Sequence, residues 1–108
     1  MKKILHIKSN PTLKELQKYV ANMVEARGFA DESPKDMLVL LMEEIGELAR
    51  AIRKNEGIKM AGDTKRSEME DEFADCLIYL IDLANHYKID LEKAFTEKEE
   101  KNNKRVWK

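Results

Sequence analysis

Five carboxylates have the residue types and the spacing of a metal site. These acids are Glu43, Glu44, Glu47, Glu72 and Asp75. The first three interrupt the apolar stretch 39–52, and the last two precede the apolar run 76–81. At about 100° per residue, Glu44 falls inside the apolar face of its segment, and Glu47 lies one turn further on. That apolar face is formed by Met37, Leu40, Leu41, Leu48 and Ile52.

Carboxylates that converge between two helices need a cation, because their charges repel one another. If the two segments pack antiparallel, four of the acids converge: Glu44, Glu47, Glu72 and Asp75. Burying a charge without a partner costs several kcal/mol. Mg²⁺ removes this conflict, since it prefers oxygen ligands, keeps some waters and commonly bridges to substrate phosphates. Acid pairs at this spacing are also common on solvated helix faces, but two pairs beside apolar stripes favour the metal site.

Other metals fit the sequence less well. Zinc usually takes Cys or His ligands, and Cys76, His6 and His86 do not have ligand spacing to the acids. A di-iron bundle normally uses Glu-x-x-His pairs, and neither histidine follows a glutamate at that spacing. We interpret Cys76 as a core residue at an apolar position, so the sequence offers no convincing activated nucleophile.

Four helices are predicted to position these acids. The first begins at a capping box between Thr12 and Glu15 and closes at Gly28. The second opens at residues 33–34, where proline occupies the first helical position, and it is expected to stop near Gly57. The acids at 43–47 therefore lie in the middle of the second helix.

The second half of the chain contains the other two helices. Residues 58–66 are polar and contain a glycine, so they are predicted to form a loop. A second capping-box pattern between Ser67 and Glu70 is expected to open the third helix. Asp90 is the expected cap of a fourth helix, from about residue 91 to about residue 104. No strand is predicted after the first eight residues, which gives an all-α protein.

The composition agrees with a single all-α domain. The 108 residues are 38% charged, 43% hydrophobic and 6% aromatic, which is more typical of a helical protein than of a β-sandwich or barrel. We interpret residues 1–108 as one domain, with residues 1–11 as an N-terminal tail. The net charge of −1 shows no overall basic bias, so a nucleic acid polymer is not expected as a partner.

Cysteine usage and hydropathy predict a cytoplasmic protein that does not enter a membrane. The single cysteine cannot form an intramolecular disulfide, which fits a reducing compartment. No apolar run approaches the roughly 20 residues that are needed to span a bilayer. Residues 1–8 begin like a signal peptide, but their apolar part is too short.

The apolar run 76–81 predicts that two chains assemble. Its residues are apolar almost all round the helix, so they require burial on several sides. A protomer of two helical hairpins does not easily cover them, and a short chain buries only a modest core. We therefore expect a four-helix bundle-like fold that is completed by homodimerisation, with a tetramer as the alternative.

These motifs resemble the signature of the MazG-like nucleotide pyrophosphohydrolases. They belong to the all-α nucleoside triphosphate pyrophosphatase superfamily, which includes the dCTP pyrophosphatases. The signature is EEIGE at 43–47 followed by EFAD at 72–75. Further stretches that resemble the family are ARGF, ELARAIRK, DCLIYLIDLA, IDLEKAF and KEEKNNKR. The resemblance extends over residues 12–105, and the combination of the acids with LIYL and K-x-x-K-N-x-x-R makes it specific.

The resemblance implies an activity and a cofactor. Family members hydrolyse a nucleoside triphosphate between the α- and β-phosphates, with Mg²⁺ or Mn²⁺, and release the monophosphate and pyrophosphate. By motif position, the metal ligands would be Glu44, Glu47, Glu72 and Asp75. Glu43 would be a catalytic residue that either helps to orient the attacking water or lies just behind the metal ligands, although some relatives lack an acid at that position.

The resemblance also implies substrate-binding residues. The basic terminal motif would bind the triphosphate, and its members are Lys98, Lys101, Asn102 and Arg105. Tyr79, four residues after Asp75, would lie against the base. From the residue types alone, the basic motif is more typical of a solvated helix end or a frayed tail. Tyr79 is equally typical of a core tyrosine with its hydroxyl at the surface.

Two other functions remain open at this point. The first is an enzyme of the same superfold that acts on another nucleotide, such as phosphoribosyl-ATP or dUTP. The second is a non-catalytic helical module with a regulatory or interaction role. A purely structural module would not need four inward-facing acids, which favours the enzyme. The base and sugar preference cannot be inferred from these residues.

Overall fold

Four α-helices make up the computed structural model, which describes residues 5–56 and 66–106 but not the side chains of residues 66 and 67. The helices are α1 (Leu13–Ala26), α2 (Pro34–Asn55), α3 (Arg66–His86) and α4 (Leu91–Asn103). No strand occurs within the two described ranges, so the predicted all-α class is confirmed. None of these four helices is long and apolar enough to cross a membrane.

Local capping interactions begin three of the helices where the sequence predicts. At α1, the Thr12 N–H donates to Glu15 Oε1 (3.0 Å), and the Glu15 N–H donates to Thr12 Oγ1 (3.1 Å). Ser33 forms the same reciprocal pair with Asp36 at α2. At α4, Asp90 accepts a backbone N–H three residues further on (3.2 Å). These bonds satisfy N–H groups that have no partner inside the helix.

The start of α3 differs from the prediction. The helix already includes Arg66, so it begins before Ser67. The side chain of Ser67 lies outside the described residues, so the capping box between Ser67 and Glu70 stays a prediction. Arg66 is helical, although the predicted loop extended over residues 58–66. Gly57, where the second helix was expected to stop, and residues 58–65 of the predicted loop lie outside the described residues.

The helices α1 and α3 end with the same backbone geometry, but the residue with a positive φ is a glycine after α1 and a lysine after α3. After α1, Gly28 has a φ of 76°, and the next N–H donates to the carbonyl oxygen five residues earlier (2.9 Å). After α3, Lys88 has a φ of 55°, and the next N–H donates in the same way (3.0 Å). Both ends are Schellman motifs, in which a left-handed residue lets the chain satisfy the last carbonyls.

Lys88→Gly is expected to stabilise the fold, and Gly28→Ala to destabilise it. A side chain in the left-handed region costs about 1 kcal/mol, which glycine avoids. A Cβ added at Gly28 would meet no atom within 4 Å, so the cost there comes from the backbone alone. About 1 kcal/mol shifts the Tm of a domain of this size by roughly 4–8 °C. Thermal melting measures both shifts, with Lys88→Ala as the control for loss of the lysine side chain. A lower Tm for Lys88→Gly would contradict this prediction.

Antiparallel packing of α2 on α3 forms the main helical pair. Residues late in α2 face residues early in α3, and this pair has the most extensive contacts of the fold. α1 packs against α3, and α4 packs against α1. The core between α1 and α3 is centred on Val20, Met23 and Ile81, and Leu5 and Leu91 pack against it. Leu5 thereby connects the segment before α1 to the core.

A second apolar stripe, which we call the outer stripe, is exposed on α2 and α3. Its members are Leu38, Met42, Ile45 and Ile52 on α2 and Phe73, Leu77 and Leu80 on α3. Their spacings of three, four and seven residues are those of a heptad seam. Ile52 is 39% exposed whereas Met37 is buried, so Ile52 lies at the border between the outer stripe and the buried face of α2. The radius of gyration is 16.8 Å, against about 13 Å for a compact chain of this length.

Candidate metal centre

Three of the predicted acids meet between α2 and α3. Glu44 comes from the middle of α2, and Glu72 and Asp75 come from successive turns of α3. One carboxylate oxygen from each lies within 4.8 Å of the other two. Antiparallel packing brings them together, because Glu44 lies on the buried face of α2 next to Leu41 and Leu48.

The three acids repel one another because their negative charges lie close together. Burial raises the pKa of Glu44, and the charges of Asp75 and Glu72 raise it further. A buried oxygen of Glu72, Oε2, has no hydrogen-bond partner. Among the described residues, no lysine or arginine forms an ion pair with any of the three acids. In the part of the chain that the structure describes, these carboxylates are therefore held together without an ion-paired lysine or arginine.

The donor set fits a hard divalent cation. All ligand atoms are carboxylate oxygens, the donors that Mg²⁺ prefers. Oxygens that share one octahedral Mg²⁺ lie about 3–4 Å apart. The three carboxylate oxygens lie within 4.8 Å of one another, so small side-chain rotations would bring them to that distance. An ion at this point would also neutralise the carboxylate to which the unpartnered Glu72 Oε2 belongs.

Glu47 and Glu43 lie outside the group of three. Glu47 is exposed one turn further along α2, and its charge is the smallest contribution to the raised pKa of Glu44. It lines an open cavity of about 250 Å³ beside the group, together with Glu72, Arg50 and Lys54. This cavity puts cationic side chains next to the acids. Glu43 is exposed as well.

Tyr79 lies one turn after Asp75 on α3 and is half-buried. Burial raises the pKa of its hydroxyl, and the charge of Glu44 is the next cause. Asp82, on the same face of α3, is buried, and burial also raises the pKa of its carboxyl, while His86 lowers it. Asp82 does not belong to the group of three acids, although it lies seven residues after Asp75.

The basic terminal motif lies on α4, which packs against α1 rather than between α2 and α3. Lys98, Lys101 and Asn102 lie in α4, and Asn102 Nδ2 donates to a glutamate one turn earlier, Glu99 (2.7 Å). Arg105 follows the end of the helix, where its N–H donates to the Asn102 carbonyl (3.1 Å). Arg105 therefore lies beyond the helix that carries the other three residues.

Comparisons with known proteins support the sequence resemblance. The family model of the MazG nucleotide pyrophosphohydrolase domain matches residues 32–107. Bovine dCTP pyrophosphatase 1 is 29% identical over 102 residues, which are 90% of this chain and 60% of that protein. This chain therefore spans about three-fifths of the length of that relative.

Two proteins of Bacillus subtilis, both named as uncharacterised, are matched more completely. YpjD is 37% identical over 87 residues, covering 80% of this chain and 78% of YpjD. YvdC is 33% identical over 100 residues, covering 86% of this chain and 94% of YvdC.

A solved structure has the same fold. The crystal structure of YpjD superposes with a TM-score of 0.74 at 35% identity, and the match covers 92% of this chain and 100% of the YpjD chain. The family model includes both acid motifs and the basic terminal motif, and the structure brings acids of both motifs together. The chain therefore belongs to the MazG family of nucleotide pyrophosphohydrolases, which are hydrolases that act on phosphoanhydride bonds.

Proposed function

We propose that the protein is a Mg²⁺-dependent nucleoside triphosphate pyrophosphohydrolase that converts a (d)NTP into the monophosphate and pyrophosphate. The observation that carries this proposal is the group formed by Glu44, Glu72 and Asp75, with its unpartnered buried oxygen, in a chain of this family. Mn²⁺ is the alternative cation, since it shares the preference for oxygen ligands.

The metal ligands are Glu44, Glu47, Glu72 and Asp75. When bound, Mg²⁺ neutralises the triphosphate oxygens and lowers the pKa of the attacking water. Glu47 joins the other three by a rotation of its exposed side chain. Glu43 helps to orient the water. Phosphoryl chemistry of this kind depends on position and charge more than on a covalent nucleophile.

The remaining residues of the site bind the substrate. Tyr79 is close enough to Glu44 and Asp75 for their charges to raise the pKa of its hydroxyl, so a base lying against its ring would be next to the cation. The α4 residues Lys98, Lys101 and Asn102 bind the triphosphate, and Arg105 contributes from the turn after α4.

The active form is a homodimer, with a tetramer as the alternative. The outer stripe supports this proposal, because heptad spacing on two neighbouring helices matches the surface of half a helical bundle. A second copy of the chain is the occupant that a self-complementary apolar surface fits best. Each chain is one domain, with residues 1–11 as its N-terminal segment, and it works in the cytoplasm.

A nucleotide panel tests the proposed reaction. The purified protein is incubated with Mg²⁺ and each of the common NTPs and dNTPs, dUTP and phosphoribosyl-ATP, and the products are separated by ion-exchange chromatography. We expect the monophosphate and pyrophosphate in equal amounts, and no reaction in EDTA. Orthophosphate as the only phosphate product, or no turnover of any nucleotide, would contradict the proposal. In the second case, a Mg²⁺-dependent rise in Tm would favour the regulatory module instead.

A further inference from the structure

The side chain of Gln17 on α1 holds together the junction between α3 and α4. Its Nε2 donates to Asn85 Oδ1 (3.0 Å) and to the Ile89 carbonyl (2.8 Å). Its Oε1 accepts the Leu91 N–H, the first in α4 (2.9 Å). Asn85 Nδ2 in turn donates to the Gln17 carbonyl (2.9 Å). One buried amide thus binds the last turn of α3, the connection and the first residue of α4.

A second contact fixes α4 at the same end. Glu92 Oε1 accepts the Lys14 N–H in the first turn of α1 (2.9 Å). Leu91 packs against the core cluster. Beyond Glu92, by contrast, every residue of α4 except Asn102 is exposed, and Phe95 is 69% exposed. The direction of α4 therefore depends on its N-terminal attachment.

We propose that Gln17 is a positioning residue, which sets the direction of α4 so that its cationic side chains meet the triphosphate. This inference rests on the proposed function of α4. Lys101 lies about 15 Å along the helix axis from Leu91, so a tilt of about 10° would move it by about 3 Å. A displacement of that size breaks a charge-assisted hydrogen bond, because the donor and acceptor atoms of such a bond lie about 2.7–2.9 Å apart.

Only an amide satisfies all of these partners at once. The Nε2 group meets two acceptors, Asn85 Oδ1 and the Ile89 carbonyl, while Oε1 meets one donor. A carboxylate would put an oxygen against both acceptors. Methionine has a similar length, but its thioether is only a weak acceptor and donates no hydrogen bond. Gln17→Met therefore removes the attachment and keeps most of the volume.

Binding of inorganic tripolyphosphate with Mg²⁺, measured by calorimetry on the full chain, tests this role without requiring turnover. Gln17→Met is expected to weaken binding about tenfold, because α4 is no longer preorganised. In a Lys101→Gln background, Gln17→Met should weaken binding less than about twofold further, because the two residues act through one contact. Hydrogen exchange should be faster at the Leu91 amide and unchanged in the middle of α3.

Thr12→Ala is the matched control. It removes the capping box of α1 and destabilises the same helix, but it leaves the bonds of Gln17 in place. Its tripolyphosphate affinity should stay within about twofold of the wild type even where its Tm falls as far as that of Gln17→Met. The proposal is overturned if Gln17→Met binds like the wild type, if Thr12→Ala weakens binding equally, or if the wild type does not bind tripolyphosphate. Tripolyphosphate binding without turnover of any nucleotide would overturn the proposed function alone.

Discussion

Glu44→Gln and Asp75→Asn are each expected to reduce nucleotide hydrolysis at least about 100-fold and to leave the fold intact. Each variant removes one negative ligand from the group of three while keeping the shape of the side chain. The free protein should not lose stability, because burial and like charges already raise the pKa of Glu44 and disfavour its ionised form. Product chromatography at saturating Mg²⁺ and thermal melting measure the two effects separately.

A Mg²⁺ titration followed by melting distinguishes the loss of a ligand from other causes of inactivity. At 100 times its Kd, an ion that binds only the folded state stabilises it by about 2.7 kcal/mol, or roughly 10–20 °C in a domain of this size. The wild type should show such a rise, and both variants should lose most of it. Glu25→Gln is the matched control, since Glu25 is an exposed glutamate on α1, a helix that contributes none of the three acids. If both variants keep wild-type turnover, the assignment of the metal ligands is wrong.

The parts of the fold that could be predicted from the sequence are those that depend on near neighbours. At the starts of α1, α2 and α4, a side chain binds a backbone N–H three residues away. Such a pair is visible in the local sequence, so these starts could be predicted without knowledge of the fold. The same pattern at Ser67 did not locate the start of α3, because the helix already includes Arg66. A spacing of three residues is local information, but it does not by itself locate a helix end.

Convergence of the acids could be predicted because both helices have strong periodicity. Glu44 falls between leucines of one face, and Asp75 precedes an apolar run, so antiparallel packing brings them together. Glu47 is different, because it lies at the border of that face and the structure leaves it exposed. Whether it turns inward depends on the ion, which the sequence does not describe.

Contacts between distant residues could not be predicted from one sequence. Gln17 and Asn85 are 68 positions apart, and nothing in either segment indicates that their amides meet. The α2 part of the outer stripe was also missed as a separate surface, since Ile52 lies at the border between the two apolar faces of α2. An apolar side chain has the same hydropathy whether it faces α3 or a second chain.

Leu77→Lys is expected to convert the protein into a monomer and to abolish its hydrolytic activity. Leu77 lies in the outer stripe on α3 and is 43% exposed in the single chain. Burying a leucine contributes about 1.5–3 kcal/mol, and a lysine in the same place puts an unpaired charge into an apolar interface. The two-fold symmetry of a homodimer introduces the change twice, so the dissociation constant should rise by well over 100-fold. Light scattering at micromolar concentration measures the mass directly.

Val39→Lys is the matched control for the added charge. Val39 is also an exposed apolar residue, at 57%, but it lies on α2 outside the heptad positions of the outer stripe. It should leave both the mass and the activity close to those of the wild type. A wild-type protein that is already monomeric would contradict the proposed assembly, as would a Leu77→Lys variant that stays dimeric. If Leu77→Lys is monomeric but fully active, the dimer exists without being needed for catalysis, and each chain then contains a complete site.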